Sequence, residues 1–324
     1  MKKNINEINI TKPSEQSDLF GYKDYFQLFI ELVNKKEIPR CILFTGLKGS
    51  GKSTFAYHLI NYLLSQNEPN KYSFENKKID INNRSYKLLN SYTHPNFRLV
   101  ENYFSEKEIK IAQVRNLLKF LRNTAYDNNF KIVMIDNVEN LNLNSANALL
   151  KSLEETSDNT LFFIIHNSAF KILDTIKSRC VEFKIFLNKP ERENIFNKLA
   201  KQYKKNNFNT DKIYENHYFE TPGNLLRYLL YLDNNKLNFL GIKLEYILYF
   251  IDIYIKEKNP EILSLISLFI EKFYTELCCN NFKDNNIFFN KSKILKLIYN
   301  MKKFNLDEKN VFINIKDILI SDAK

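Results

Sequence analysis

The chain has 324 residues, of which 44% are hydrophobic and 26% are charged, and its formal net charge is +11. Domains usually hold about 100 to 200 residues, so this length allows two or three of them, and the composition is ordinary for a globular protein. No segment approaches the roughly 20 uncharged apolar residues of a membrane-spanning helix. No apolar segment follows the N-terminal lysines as it would in a secretory signal. We therefore expect a cytoplasmic protein that does not contact a membrane.

The positive charge and the cysteines say little about function. Lys, Asn and Ile are abundant throughout the chain and no compact basic patch stands out, so the charge alone does not predict direct DNA binding. The four cysteines, Cys41, Cys180, Cys278 and Cys279, form no CxxC pair and no zinc-ligand spacing. We expect reduced thiols and no zinc.

Strand-like and helix-like segments alternate in the first half of the chain, and this alternation predicts a parallel α/β sheet. Apolar residues recur at helical spacing between the strands, as in 114–121 and 146–153, so each helix has one face for the sheet. Segment 67–92 is rich in Asn and Lys and is predicted to be a loop. The predicted strands are 41–46, 96–100, 131–136, 161–166 and 181–186.

The strongest motif, GLKGSGKST, begins at the end of the first predicted strand and contains three of the chain's six glycines. It matches G-x-x-x-x-G-K-[ST] in full and is followed by a helical segment. The glycines allow backbone amides to surround phosphate oxygens, and the helix N-terminus adds its positive end. Lys52 is expected to contact the β- and γ-phosphates of ATP, and Ser53 to bind magnesium. The predicted ligands in this loop are Gly46, Gly49, Gly51, Lys52, Ser53 and Thr54.

A second strand, KIVMID at 131–136, runs into Asp136, which we expect to hold the magnesium ion together with Ser53. In hydrolysing members of the largest ATPase class with this pattern the next residue is a glutamate that orients water, but this chain has Asn137. An amide cannot accept the proton, and the loss of such a base costs roughly 10² to 10⁴ in rate. Glu139 could replace it, although we expect its side chain to face solvent or to cap the following turn. The site is therefore predicted to hold ATP and to hydrolyse it poorly.

Helical periodicity replaces strand signals from about residue 188 onward. Pro190, followed by acidic residues, is typical of a helix N-terminus. A short helical unit is predicted to extend to about 235, and four or so further helices to follow it. Segment 280–288 is predicted to be a loop.

The stretch IDNVENLNLNSANALLKSLEETSDNTLFFIIHNSAFKILDTIKSRC, at 135–180, resembles the bacterial clamp-loader ATPase subunits of the AAA+ class. It resembles most closely the delta-prime family of DNA polymerase III, in the variety without a four-cysteine zinc insertion. SANALLKSLEE at 145–155 is similar to the signature helix, with Thr156 and Ser157 in place of the usual prolines. SRC at 178–180 is similar to the motif whose arginine enters a neighbouring subunit's ATP site.

The resemblance implies three parts: an AAA+ nucleotide-binding α/β domain at 1–187, a helical lid at 188–235 and an all-α collar at 236–324. Such subunits form a five-membered ring that opens the sliding clamp and places it on primed DNA. The resemblance also implies a polar nucleotide sensor at Asn167 and a catalytic arginine, acting in trans, at Arg179. The lid arginine that senses the γ-phosphate is replaced by Gly223, and Arg227 lies one helical turn later.

The resemblance therefore implies a rigid clamp-loader subunit that binds ATP and magnesium, hydrolyses poorly and supplies Arg179 to a neighbour. Two alternatives stay open. The chain could be an active motor subunit of the same machine that uses Glu139 as its base. More remotely, it could be a P-loop kinase for a small molecule, although such enzymes have no need of an SRC element.

Overall fold

A computed structural model describes residues 10–102, 108–126, 130–155, 157, 159–203, 220–234, 244–280 and 285–323. The chain separates into two compact units, of which the first ends at Arg227 and the second begins at Tyr228. The division lies inside one helix, Pro222–Asn234. The three-part division at 187 and 235 stays a prediction.

The first unit is built on a five-stranded parallel sheet, as the alternating pattern predicted. The strand order is β2-β3-β4-β1-β5, so the chain's first strand lies inside the sheet. All neighbouring strands run in the same direction. The strands are β1 (Cys41–Gly46), β2 (Phe97–Val100), β3 (Lys131–Ile135), β4 (Thr160–Asn167) and β5 (Val181–Lys184).

Helices cover both faces of this sheet. Alternate residues of the buried strands enter two separate apolar clusters, with Phe44 in one and Leu43 in the other, because successive side chains of a strand point to opposite faces. Helices α1, α2 and α7 supply side chains to the first cluster, and α4, α5 and α6 to the second. The helices are α1 (Lys23–Asn34), α2 (Lys52–Leu64), α3 (Arg84–Asn90), α4 (Ile111–Arg122), α5 (Leu143–Glu154), α6 (Asp174–Lys177) and α7 (Lys189–Gln202).

Helix α3 shows that the predicted loop at 67–92 was wrong in part. Asn83 accepts a hydrogen bond from the backbone N–H of Tyr86 at 2.6 Å, and the Glu68 carboxylate accepts from the backbone N–H groups of Arg84 and Ser85. These side chains satisfy the free N–H groups of the first helical turn, which stabilises a short helix despite its polar composition. The predicted loop at 280–288 is likewise wrong from residue 285, where a helix begins; residues 281–284 lie outside the described chain.

The second unit is helical, as predicted. Helix α8 (Pro222–Asn234) leads into it, and four helices follow. Neighbours in the chain among these four pack against each other, and the first also packs against the last. Phe250, Ile266, Ile294 and Phe312 lie in its buried core. These helices are α9 (Leu244–Glu257), α10 (Pro260–Asn280), α11 (Asn285–Phe304) and α12 (Glu308–Asp322). No helix in the part of the chain that the structure describes is long and apolar enough to span a bilayer.

Candidate nucleotide-binding site

A cavity of about 280 Å³ lies at the carboxyl ends of β1, β3 and β4, within the first unit. The loop between β1 and α2 forms its floor, and the start of α8 borders it. Predicted site residues that line it are Gly49, Gly51, Lys52, Ser53, Thr54, Asp136 and Asn167. Gly46 lies at the start of the same loop, and a Cβ atom there would be 2.8 Å from the Ile185 carbonyl oxygen.

The loop has the backbone that a phosphate cradle requires. Gly49 and Gly51 have φ angles of 81° and 95°, a region that residues with a side chain rarely adopt. Gly51 directly precedes α2, so the positive end of that helix faces the cavity. A phosphate group in the cavity would meet both the backbone amides and the helix N-terminus.

Lys52 is buried beneath this loop. Its Nζ donates hydrogen bonds to the carbonyl oxygens of Gly46 and Leu47, each at 2.7 Å. Burial lowers the pKa of the Lys52 ammonium from 10.5 to about 8, against the opposing effect of the Asp136 and Glu139 charges. The ammonium group therefore lacks full compensation in the protein alone, and an anionic phosphate would provide it.

Ser53 and Asp136 meet although 83 positions separate them in the sequence. Ser53 Oγ donates to the two carboxylate oxygens of Asp136 at 3.1 and 2.9 Å. Burial raises the pKa of Asp136, while the hydrogen bond from Ser53 and the charge of Lys52 act in the opposite direction. A hydroxyl and a carboxylate are hard oxygen ligands, so these residues fit magnesium. When bound, the ion supplies positive charge that neutralises phosphate oxygens.

Asn137 and Glu139 lie at the turn that follows β3. Asn137 has φ 60° and ψ 60°, a left-handed conformation, and a short 3₁₀ helix, Val138–Asn140, begins after it. This turn directs the Glu139 side chain across the sheet edge, where its Oε2 accepts the backbone N–H of Asn167 at 3.2 Å. The expectation that Glu139 faces solvent or caps the following turn was therefore wrong. The Asn167 side-chain oxygen accepts the backbone N–H of Ala169 at 3.2 Å.

The first turn of α8 binds directly to the phosphate loop. Thr221 Oγ1 donates to the Lys48 carbonyl at 2.7 Å, and the Gly223 N–H donates to the Gly49 carbonyl at 2.9 Å. A Cβ atom at position 223 would lie 2.7 Å from that carbonyl oxygen, so only glycine allows this approach. Gly223 thus takes part through its backbone, and Arg227, one turn later, lines the cavity.

Sequence reasoning missed the aromatic and apolar wall of the cavity. Tyr22 stacks on Phe55 with ring centroids 4.9 Å apart, and its hydroxyl donates to the Ser50 carbonyl. Leu19, Leu199 and Tyr203 line the same cavity. No motif marks these lining residues, because they come from two separate segments and any apolar side chain of suitable size could serve there. This wall could hold the adenine ring.

Arg179 lies apart from these residues. It stands two positions before β5, whose first residue, Val181, is paired with Ile42 at the start of β1. The phosphate loop follows the other end of β1, and a six-residue strand is about 20 Å long. Arg179 does not line the cavity, and its guanidinium instead pairs with Glu154 at the end of α5. The structure therefore brings the predicted nucleotide ligands together and holds the predicted trans arginine at the opposite edge of the sheet.

Several known proteins are similar to part of this chain. The chain is 36% identical over 155 residues to the DNA polymerase III subunit delta' of Pseudomonas aeruginosa, covering 48% of this chain and 45% of that protein. It is 32% identical over 180 residues to the delta' subunit of Buchnera aphidicola subsp. Baizongia pistaciae, covering 53% and 49%. The chain thus spans about half the length of the curated relatives it matches.

Among solved structures, a DNA polymerase III gamma subunit-related protein of Thermotoga maritima covers 91% of the chain and 99% of its own, with 16% identity and a TM-score of 0.46. The family model described as DNA polymerase III, delta subunit, matches residues 21–188, which is just over half of the chain. The chain therefore belongs to this DNA polymerase III family, the delta-prime branch of the clamp-loader AAA+ proteins.

Proposed function

We propose that the chain is a delta-prime-type subunit of a clamp loader that binds ATP and magnesium, hydrolyses ATP poorly and completes a neighbouring subunit's active site with Arg179. The observation that carries this proposal is the separation of parts within one unit. An intact phosphate loop lies at one edge of the sheet beside Asn137, which cannot act as a base, while Arg179 lies at the opposite edge.

ATP binding is supported by the complementarity of the cavity. Lys52 would exchange its two loop carbonyls for phosphate oxygens, which relieves the cost of its buried charge. Asp136 and Ser53 would hold magnesium, and Asn167, which lines the same cavity, would contact the nucleotide. Gly223 stands where the lid arginine is expected and contacts the loop only through its backbone. Arg227 is therefore the one lid arginine that lines this cavity in the described chain.

Poor hydrolysis is supported by the groups around Asn137. The amide can orient water but cannot take its proton, which costs roughly 10² to 10⁴ in rate.

An active motor subunit using Glu139 remains the second candidate, because that carboxylate lies at the sheet edge beside Asn167. To act as a base it would have to leave its hydrogen bond with the Asn167 backbone. Membership in a clamp-loader family argues against a small-molecule kinase.

The proposed setting is a five-membered clamp-loader ring in the bacterial cytoplasm, together with the sliding clamp and primed DNA. Its support is that the relatives are DNA polymerase III subunits. The helices of the second unit would serve as the collar that joins neighbouring subunits. No direct DNA contact is assigned to this chain.

The proposal is tested by substituting Arg179 and Lys52 in a loader reconstituted from purified subunits. Arg179→Ala should lower hydrolysis at the adjacent site by about 10³-fold or more, since an arginine supplied in trans stabilises charge on the transferred phosphoryl group. The isolated chain should bind ATP and show almost no turnover. The measurement is steady-state phosphate release with and without clamp and DNA.

Arg84→Ala is the matched control, because Arg84 is an exposed arginine on α3. It should leave loader turnover unchanged. Appreciable turnover by the isolated chain that is abolished by Lys52→Ala would contradict the proposal of a poorly hydrolysing subunit. Loss of that turnover in Glu139→Gln would identify the motor alternative. Full loader activity in Arg179→Ala would remove the trans role.

A further inference from the structure

The guanidinium of Arg179 is already occupied in the described chain. Its Nε donates to Glu154 Oε1 at 2.7 Å, and its Nη2 donates to the same oxygen. Nη1 donates to the Thr175 carbonyl at 2.8 Å and to Ser178 Oγ at 3.3 Å. Four of the five N–H donors of a guanidinium are thereby used, and one on Nη2 remains.

The Glu154 carboxylate occupies the two N–H donors of Arg179 that phosphate recognition would need. Arginine binds phosphate most specifically through two parallel N–H donors of one edge, such as Nε and Nη2. Glu154 holds both of these donors, and its negative charge cancels the positive charge that would attract a nucleotide. The guanidinium cannot bind a phosphate through Nε and Nη2 while the ion pair between Arg179 and Glu154 is intact.

We propose that Glu154 is a positioning residue that latches Arg179 back against its own subunit until the phosphate of a neighbouring subunit's ATP replaces the carboxylate. The inference rests on the proposed function, because it concerns the same trans arginine. Displacement is feasible, since the Arg179 and Glu154 side chains are 31% and 49% exposed and water can solvate the released carboxylate. An exposed ion pair of this kind shifts an equilibrium by about fivefold at most. The latch therefore adjusts the availability of the arginine without blocking it.

The latch is tested with Glu154→Gln in the reconstituted loader. Glutamine keeps the length and an oxygen acceptor but removes the charge, so Arg179 should be released more readily. We expect kcat/KM for ATP at the adjacent site to rise by about two- to fivefold, the range that exposed ion pairs allow, with no fall in kcat. Raising the salt concentration should shrink the difference between the two proteins, because salt screens the exposed pair.

Two variants separate a latch from a structural effect. Glu155→Gln removes the neighbouring exposed carboxylate and should change nothing. In the background of Arg179→Ala, Glu154→Gln should no longer raise kcat/KM, because the group it releases is gone. A rise that persists without Arg179 would overturn the latch.

The remaining outcomes are distinguishable. A fall in kcat in Glu154→Gln would mean that the carboxylate prepares Arg179 for catalysis, and an unchanged kcat/KM would mean that the pair has no role; each overturns the latch. If Arg179→Ala lowers turnover while Glu154→Gln behaves in one of these ways, the proposed function stands and only the latch is lost. If Arg179→Ala has no effect, the proposed function falls and the latch falls with it.

Discussion

At the residue scale, the protonation of Lys52 links nucleotide binding to pH. Burial lowers the pKa of Lys52 to about 8, so its charged form costs stability below that pH, and the cost disappears as the pH rises from about 8 towards 10.5. Bound phosphate favours the charged form and raises the pKa again. We predict that the affinity for MgATP is greatest below pH 8 and falls by up to about tenfold per pH unit above it. Isothermal titration calorimetry between pH 7 and 9.5 measures this dependence.

Lys52→Met is the control for this effect. It should bind MgATP more weakly at every pH and with no slope above pH 8. An affinity in the unsubstituted protein that stays constant from pH 7 to 9.5 would show that Lys52 does not contact the phosphates.

At the element scale, the docking of α8 on the phosphate loop depends on two close contacts. In Gly223→Ala, the added methyl would lie 2.7 Å from the Gly49 carbonyl oxygen and force the helix away from the loop. We predict that the hydrogen bond between Gly223 and Gly49 breaks and that the affinity for ATP falls by about tenfold, the equivalent of one lost hydrogen bond of roughly 1 to 1.5 kcal/mol. Equilibrium titration with a fluorescent ATP analogue measures the change.

Variants of Thr221 provide the matched pair. Thr221→Val removes the hydroxyl that donates to Lys48 and should weaken binding in the same direction, whereas Thr221→Ser keeps the hydroxyl and should not. Unaltered affinity in both Gly223→Ala and Thr221→Val would mean that the helix does not support the nucleotide site.

The elements that sequence could predict are those specified by local patterns. The strands, the phosphate loop and Asp136 follow from short motifs whose backbone requirements are fixed by neighbouring residues. The direction of Glu139 could not be predicted, because it depends on the left-handed conformation of Asn137. The pair between Glu154 and Arg179 was missed because the two residues are 25 positions apart and side-chain contacts at such a distance leave no pattern in one sequence. Helix α3 was not predicted, because the residues around it, including the polar ones that cap it, have a composition typical of loops.

At the scale of the whole molecule, the division at Arg227 and Tyr228 predicts that the nucleotide stabilises one unit and not the other. All residues that line the cavity belong to the unit that ends at Arg227. A ligand stabilises the state it binds by about 2.7 kcal/mol at a hundred times its Kd. We therefore expect two transitions in differential scanning calorimetry, of which only one moves to higher temperature with MgATP. Lys52→Ala should abolish that movement, and a single transition that shifts as a whole would contradict the prediction.

The cavity and Arg179 lie at opposite edges of one sheet, and this placement affects how natural selection acts on the chain. In a ring built as proposed, a change at Lys52 would affect the binding of this chain's own nucleotide. A change at Arg179 would affect the hydrolysis of a nucleotide bound to another polypeptide. Natural selection would then act on the two edges of this sheet through the activities of different subunits, which are encoded by different genes. If Asn137 replaces the base as we propose, such a chain loses its own reaction while the far edge is still retained for the reaction of its neighbour.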